Sequence, residues 1–104
     1  MKRDMTKFVF KNKEYSKNRL IQAMVIDYLK RHKKITLEQF NSRFGKDVQG
    51  KYFLILDIKT AKKLSASYNR YFINEPIVLH DGSKVVVCSQ WDKNNIMYAI
   101  KALQ

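Results

Sequence analysis

The stretch Lys51-Tyr52-Phe53-Leu54-Ile55-Leu56-Asp57-Ile58-Lys59-Thr60-Ala61-Lys62-Lys63-Leu64 decides how this chain of 104 residues folds. Its first six residues have the bulk of a buried strand. Leu54, Ile58, Ala61 and Leu64 (or Ala66) recur at helical spacing as well. The reading adopted is an extended or irregular segment over 51–57 and a helix over 58–66. A single helix from 53 is the alternative.

Upstream, Phe8 and Phe10 flank Val9, Lys11-Asn12-Lys13 offers a turn, and Glu14-Tyr15 begins a return, which predicts a β-hairpin over 7–15. Ser16 is placed to cap a helix of about 15 residues whose apolar stripe is Leu20, Ile21, Met24, Val25, Tyr28 and Leu29. That helix runs out in Lys30-Arg31-His32-Lys33-Lys34, cations that offset the negative end of its dipole. Thr36 and Gln39 form a capping box, with Ile35 and Phe40 as a hydrophobic staple. The helix they start covers roughly 37–44, and Gly45 stands where a left-handed C′ residue belongs.

Downstream, 69–72 is expected as a short strand, followed by a hairpin from Ile77 to Cys88. Asp81-Gly82 is its expected two-residue type I′ turn. Asp92 or Asn94 then caps a last helix carrying Ile96, Ala99, Ile100 and Leu103. The element order is that of a small single α+β domain over 1–104: an N-terminal hairpin, two helices, the 51–66 element, a C-terminal Asp-Gly hairpin and a closing helix. Over about 16–90 this order resembles a winged helix, with the Asp-Gly hairpin as the wing. The resemblance implies a nucleic-acid-binding domain. Val87-Cys88-Ser89-Gln90-Trp91 followed by Asn95-Ile96 is similar to small uncharacterised bacterial proteins, some associated with restriction systems.

Charge is the strongest functional signal. The chain carries 21 Lys+Arg against 9 Asp+Glu, a net of +12. Residues 1–34 contribute +8, residues 35–72 contribute +4, and residues 73–104 contribute nothing. Like charges repel and do not help folding, so such an excess points to a polyanionic partner. The candidate contacts are Lys11, Lys13, Lys17 and Arg19 at one end of the first helix and Lys30, Arg31, Lys33 and Lys34 at the other. They continue through Arg43, Lys46 and Lys51, then Lys59, Lys62 and Lys63 on one face of the 58–66 helix, then Arg70. Sixteen Lys against five Arg favours phosphate contacts over bidentate reading of guanine. Tyr52, Tyr68 and Tyr71 lie among these cations and offer faces for unpaired bases.

Together these features predict a non-enzymatic nucleic-acid-binding domain, DNA favoured over RNA. Its expected role is regulatory, or accessory to a restriction, mobile-element or phage system. Two alternatives stay open. One is an interaction or inhibitor module that docks its basic face on an acidic protein; separately, the C-terminal helix either closes the core or offers a face for a homodimer. The other is a Mg²⁺-dependent nuclease of PD-(D/E)xK type using Asp57 and Lys59, with Asp47 and Glu38 as further acids. A lone cysteine, Cys88, and two histidines, His32 and His80, support neither a disulfide framework nor a structural zinc site. No phosphate-binding glycine loop is present, so no cofactor is expected. The start lacks the apolar core of a signal peptide and no run approaches a membrane span, so a cytoplasmic location is expected.

Overall fold

Lys11 and Asn12 have φ of 51° and 67°, and this left-handed pair makes the first hairpin. β1 (Phe8–Phe10) and β2 (Lys13–Tyr15) pair antiparallel, with Phe8 opposite Tyr15 and Phe10 opposite Lys13. Such a loop matches the twist of its strands; asparagine tolerates it, whereas Lys11 carries strain. Phe8, Phe10 and Tyr15 turn to the core and Val9 to solvent. The computed structural model describes residues 7–66 and 69–103, apart from the side chain of Asp47.

α1 (Lys17–Arg31) buries Leu20, Ile21, Met24, Val25, Tyr28 and Leu29, the stripe expected from its periodicity. Ser16 is the N-cap residue, but its hydroxyl makes no capping hydrogen bond. α2 (Leu37–Arg43) opens on the expected capping box. The Gln39 N–H donates to Thr36 Oγ1 at 3.1 Å, and the Thr36 N–H donates to Gln39 Oε1 at 3.0 Å. Gly45 is not the left-handed C′ residue. Its backbone is extended, and it leads into a 3₁₀ turn (Lys46–Val48). The left-handed glycine is Gly50, at φ 111°, just beyond that turn.

The deciding stretch resolves as strand then helix. β3 (Ile55–Asp57) pairs with 85–87, which holds it extended. At its end the Asp57 carboxylate accepts the N–H groups of Lys59 (3.0 Å) and Thr60 (3.4 Å) and starts α3 (Ile58–Leu64). A single helix from 53 is therefore overturned, and α3 stops two residues short of the expected end.

β4 (Ile77–Val78) and β5 (Lys84–Val87) complete an antiparallel sheet of order β3-β5-β4. Val85, Val86, Val87 and Cys88 are all fully buried. Side chains on both pleats of β5 are thus covered, and α1 and α3 both pack against it. The hairpin corrects the expected turn type. Only Gly82 has positive φ (88°). The Gly82 N–H donates to Leu79 O at 3.0 Å, and the Leu79 N–H donates to Ser83 O at 2.8 Å. The loop is therefore the three residues 80–82, a tight turn closed by a glycine bulge. Asp81 stays out of the left-handed region because its carboxylate accepts the Ser83 N–H at 3.0 Å. The strand expected at 69–72 shrinks to one bridge, Tyr71 with Cys88.

Asp92, one of the two expected caps, accepts the N–H groups of Asn94 and Asn95 at 2.8 and 2.9 Å. α4 (Asn95–Leu103) buries Ile96, Ala99 and Leu103 and packs on α1. Arg31 donates to Leu103 O at 3.3 Å, placing a cation at the negative end of α4. Among the described residues no helix is long and apolar enough to cross a membrane.

Candidate nucleic-acid interface

The cations differ in what they meet, because the fold brings carboxylates to some of them and not to others. Asp27, on the outer side of α1, binds Lys11 of the first hairpin and, at 3.0 Å, Arg31 one turn later. The hydrogen bond from Lys11, helped by Arg31, holds the Asp27 carboxyl below its ordinary range. Arg19 binds Glu75 and Gln22 and lies 4.4 Å from the Phe72 ring centroid; its hydrogen bond holds Glu75 low too. Asp92 is held low chiefly by its capping hydrogen bonds, with a smaller contribution from the charge of Lys17. Lys13 lies 5.9 Å from the Tyr15 ring centroid. Lys11, Lys13, Lys17 and Arg19 therefore sit on the hairpin and the start of α1. A 15-residue helix puts them roughly 20 Å from the cations at its other end.

At that other end the chain builds a groove. α1 stops at Arg31, the His32 N–H closes onto Tyr28 O (3.0 Å), and the Ile35 N–H donates to His32 O (3.1 Å). This return sets Lys33 and Lys34 beside α2. A cavity of about 540 Å³ results, lined by Tyr28, Arg31, His32, Lys33, Lys34, Ile35, Gln39 and Arg43. The floor is aromatic. His32 stacks on Tyr28 at 4.1 Å, and Phe40 and Phe44 meet Tyr28 edge-on at 5.6 and 5.1 Å. The guanidinium carbons of Arg31 and Arg43 lie 5.6 and 5.8 Å from the Tyr28 centroid. Gln39 spends its carbonyl oxygen on the capping box, which leaves its NH₂ as a donor. The Tyr28 hydroxyl is buried without a hydrogen-bond partner among the described residues, an arrangement that costs about 1–3 kcal/mol unless something satisfies it. Lys30 is exposed nearby, and with Lys33 it rims a second, mostly apolar groove between α1 and β4 lined by Ile26, Leu29, Ile77 and Leu79.

Three residues beyond Arg43, and so at most about 11 Å away along the chain, Lys46 opens another pocket. It holds about 320 Å³ and is lined by Lys46, Lys51, Tyr52, Phe53, Leu56, Thr60, Leu64 and Tyr71. Its wall has little regular structure yet is pinned. Gln49, buried although polar, accepts the N–H groups of Lys51 and Tyr52 at 3.0 Å each and donates to Gln90 O at 2.6 Å. The Tyr71 hydroxyl donates to Phe53 O at 2.8 Å. The Lys46 ammonium lies 5.2 Å from the Phe53 centroid, and Arg70 and Lys51 lie 5.5 and 5.8 Å from that of Tyr52. Arg70 also donates to Leu64 O at 3.1 Å.

Lys59, Lys62 and Lys63 share the exposed face of α3, opposite buried Ala61. Leu64, expected on the buried side, is 46% exposed at the pocket rim. Of the three tyrosines expected to offer faces, Tyr71 is buried with its ionisation pushed up by burial, Tyr68 lies outside the described residues, and Tyr52 alone is half-exposed in the pocket. Phe53, Gln39 and Gln49 escaped the sequence reading. Only the capping box hinted at Gln39, and nothing local marks the other two.

The acid-x-Lys pair Asp57 and Lys59 is the start of α3: the carboxylate is occupied as its cap. The Asp47 side chain lies outside the described residues. Among the described residues no three His, Cys, Asp or Glu side chains converge. Cys88 is buried and its thiol is pushed up to about 11 by desolvation. Comparison with protein-family models, with curated proteins and with solved structures finds no match.

Proposed function

We propose that this domain binds nucleic acid without catalysis, DNA in preference to RNA, through the arc from the end of α1 to α3. One observation carries the reading. The groove gathers Arg31, Lys33, Lys34 and Arg43, of which Lys33, Lys34 and Arg43 have no carboxylate partner among the described residues. Phosphate oxygens suit such a groove: they accept from guanidinium, ammonium and the Gln39 amide, and binding releases counterions. Lys46, Lys51, Lys59, Lys62 and Lys63, which have no ion pair among the described residues, extend that charge beyond the groove.

The winged-helix comparison is kept at the level of the sheet. Three antiparallel strands in the order β3-β5-β4, with the last two joined as a hairpin, support it. The strand that opens the sheet here follows α2, and one helix separates it from the hairpin. The hairpin tip carries Asp81, whose carboxyl is held low by Ser83. Contacts therefore come from the α1–α2 return and α3 rather than from the wing.

The test is fluorescence anisotropy with duplex DNA, single-stranded DNA and RNA across a salt series. The expected result is binding whose logarithm falls steeply and linearly with log salt. Absence of binding to all three at low salt rejects the reading. A second reading, docking on an acidic protein, is favoured by one feature: the apolar groove rimmed by Lys30 and Lys33 beside exposed Val78. It predicts a captured partner that survives nuclease treatment. Met97 and Tyr98 on α4 are exposed as well, on the helix whose sequence left a homodimer open as the alternative to closing the core.

A further inference from the structure

We infer that the pocket between the 46–53 segment and α3 seats one unstacked nucleobase, so that the preferred ligand is a strand with unpaired bases. The inference rests on the nucleic-acid reading and narrows it. A pocket of about 320 Å³ lies at the small end of ligand sites, the scale of one ring system rather than an extended molecule. Its lining is apolar and aromatic, from Phe53, Tyr52, Leu56 and Leu64, while its polar groups stand at the rim as Lys46, Lys51 and Thr60. That is the division a nucleotide requires: a flat apolar ring inside, phosphates outside. A purely apolar guest would not call for two lysines at the mouth, and a bare phosphate would not call for the aromatic wall.

The wall is also built in advance. Gln49 fixes the Lys51–Tyr52 corner through two backbone N–H groups, the Tyr71 hydroxyl fixes Phe53, and the Cys88 N–H fixes Leu54 O at 2.8 Å. A segment without regular secondary structure is thus held in one shape, which lowers the ordering cost of binding. In the free protein Lys46 lies over the Phe53 ring. An entering base takes that face by stacking, and the displaced ammonium takes a flanking phosphate. Arg43 lies close enough along the chain for the neighbouring phosphates to continue into the groove of Lys33 and Lys34.

The experiment compares two single strands of equal length and charge by anisotropy. One is an oligothymidylate of twelve nucleotides; the other carries abasic sugars at all twelve positions. The abasic strand should bind about tenfold more weakly to the native protein. Phe53→Leu, which removes the ring but keeps bulk, should bring the two strands within about twofold. Thr60→Leu, an exposed position at the mouth, should do the same by filling the pocket, and it guards against a folding defect in the first variant. Equal binding of both strands by the native protein overturns the inference and leaves the nucleic-acid reading standing. A difference that persists in both variants also overturns it, because the base then sits elsewhere. If neither strand binds, and duplex DNA put through the same assay does not bind either, the broader reading fails and takes this one with it.

Discussion

The hairpin with the first turns of α1 and the arc from Lys33 to Lys63 are both rich in lysine and arginine, yet the fold treats them in opposite ways. In the first region Lys11, Lys17 and Arg19 each have a carboxylate near them, and Lys13 lies over the Tyr15 ring. Lys11 meets Asp27, Arg19 meets Glu75, and Lys17 feels Asp92. In the second, Asp57 is spent on a helix cap, Glu38 is exposed without an ion pair among the described residues, and the Asp47 side chain lies outside them. Arg31 belongs to both regions, tied to Asp27 and lining the groove. The lesson is that net charge by segment does not locate a binding surface. What counts is which cations the fold leaves unmatched, and that depends on carboxylates brought in from far along the chain.

If the arc is a built surface, its scaffold should matter as much as its charge. Gln49→Ala removes a buried amide that satisfies three backbone groups, and should cost about 2–4 kcal/mol. A urea titration reads this directly, and binding should weaken with it. A loss below about 1 kcal/mol would mean that 49–52 is not held as described.

The paired region should reveal itself through acid. The folded Asp27 carboxyl lies below its ordinary value of 3.8, so its contribution is present above that value and is lost as the pH falls through the folded one. The melting temperature of Asp27→Asn should lie below that of the native protein at neutral pH, and the gap should close as the pH falls below 3.8. Neutralising Lys33 and Lys34 should do the reverse at low salt, leaving stability unchanged or slightly raised because unmatched repulsion is relieved. A destabilised Lys33→Gln/Lys34→Gln protein would break the contrast.

Smaller effects sharpen it. Asn12→Gly suits the left-handed turn better, and should add about 0.5–1 kcal/mol without altering binding. Cys88, protonated up to about pH 11 in the folded state, should react with a thiol reagent only as fast as the protein opens. Because that thiol ionises more easily when unfolded, stability should decline as the pH rises from about 9 to 11.

Much of the fold was legible because it is written in local patterns. The α1 stripe, the Thr36–Gln39 box and the Asp92 cap each need only neighbours within a turn or two. The type of the second hairpin turn was not, because Asp81 reaches Ser83 and so avoids the left-handed region that an Asp-Gly pair suggests. Gly45 misled for a related reason: the 3₁₀ turn after it keeps the chain extended at that point. The strand at 69–72 has the right residues, but its neighbour Cys88 offers a single bridge. The site was legible as a list of cations and not as a place. Arg19 and Glu75 are 56 positions apart, Lys11 and Asp27 are 16 apart, and the Gln49 amide reaches Gln90 across 41. No window along the chain contains these pairings, so none could separate spent cations from available ones.

The most direct test compares the salt dependence of duplex DNA binding in two variants. Lys33→Gln/Lys34→Gln/Arg43→Gln removes unmatched charge, and Lys11→Gln/Arg19→Gln removes matched charge. The first should weaken binding by about 30-fold or more near physiological salt and lower the slope of log affinity against log salt by about 2–3. The second should change that slope by less than about 0.5 while lowering the melting temperature. Equal slopes for the two variants would contradict the account.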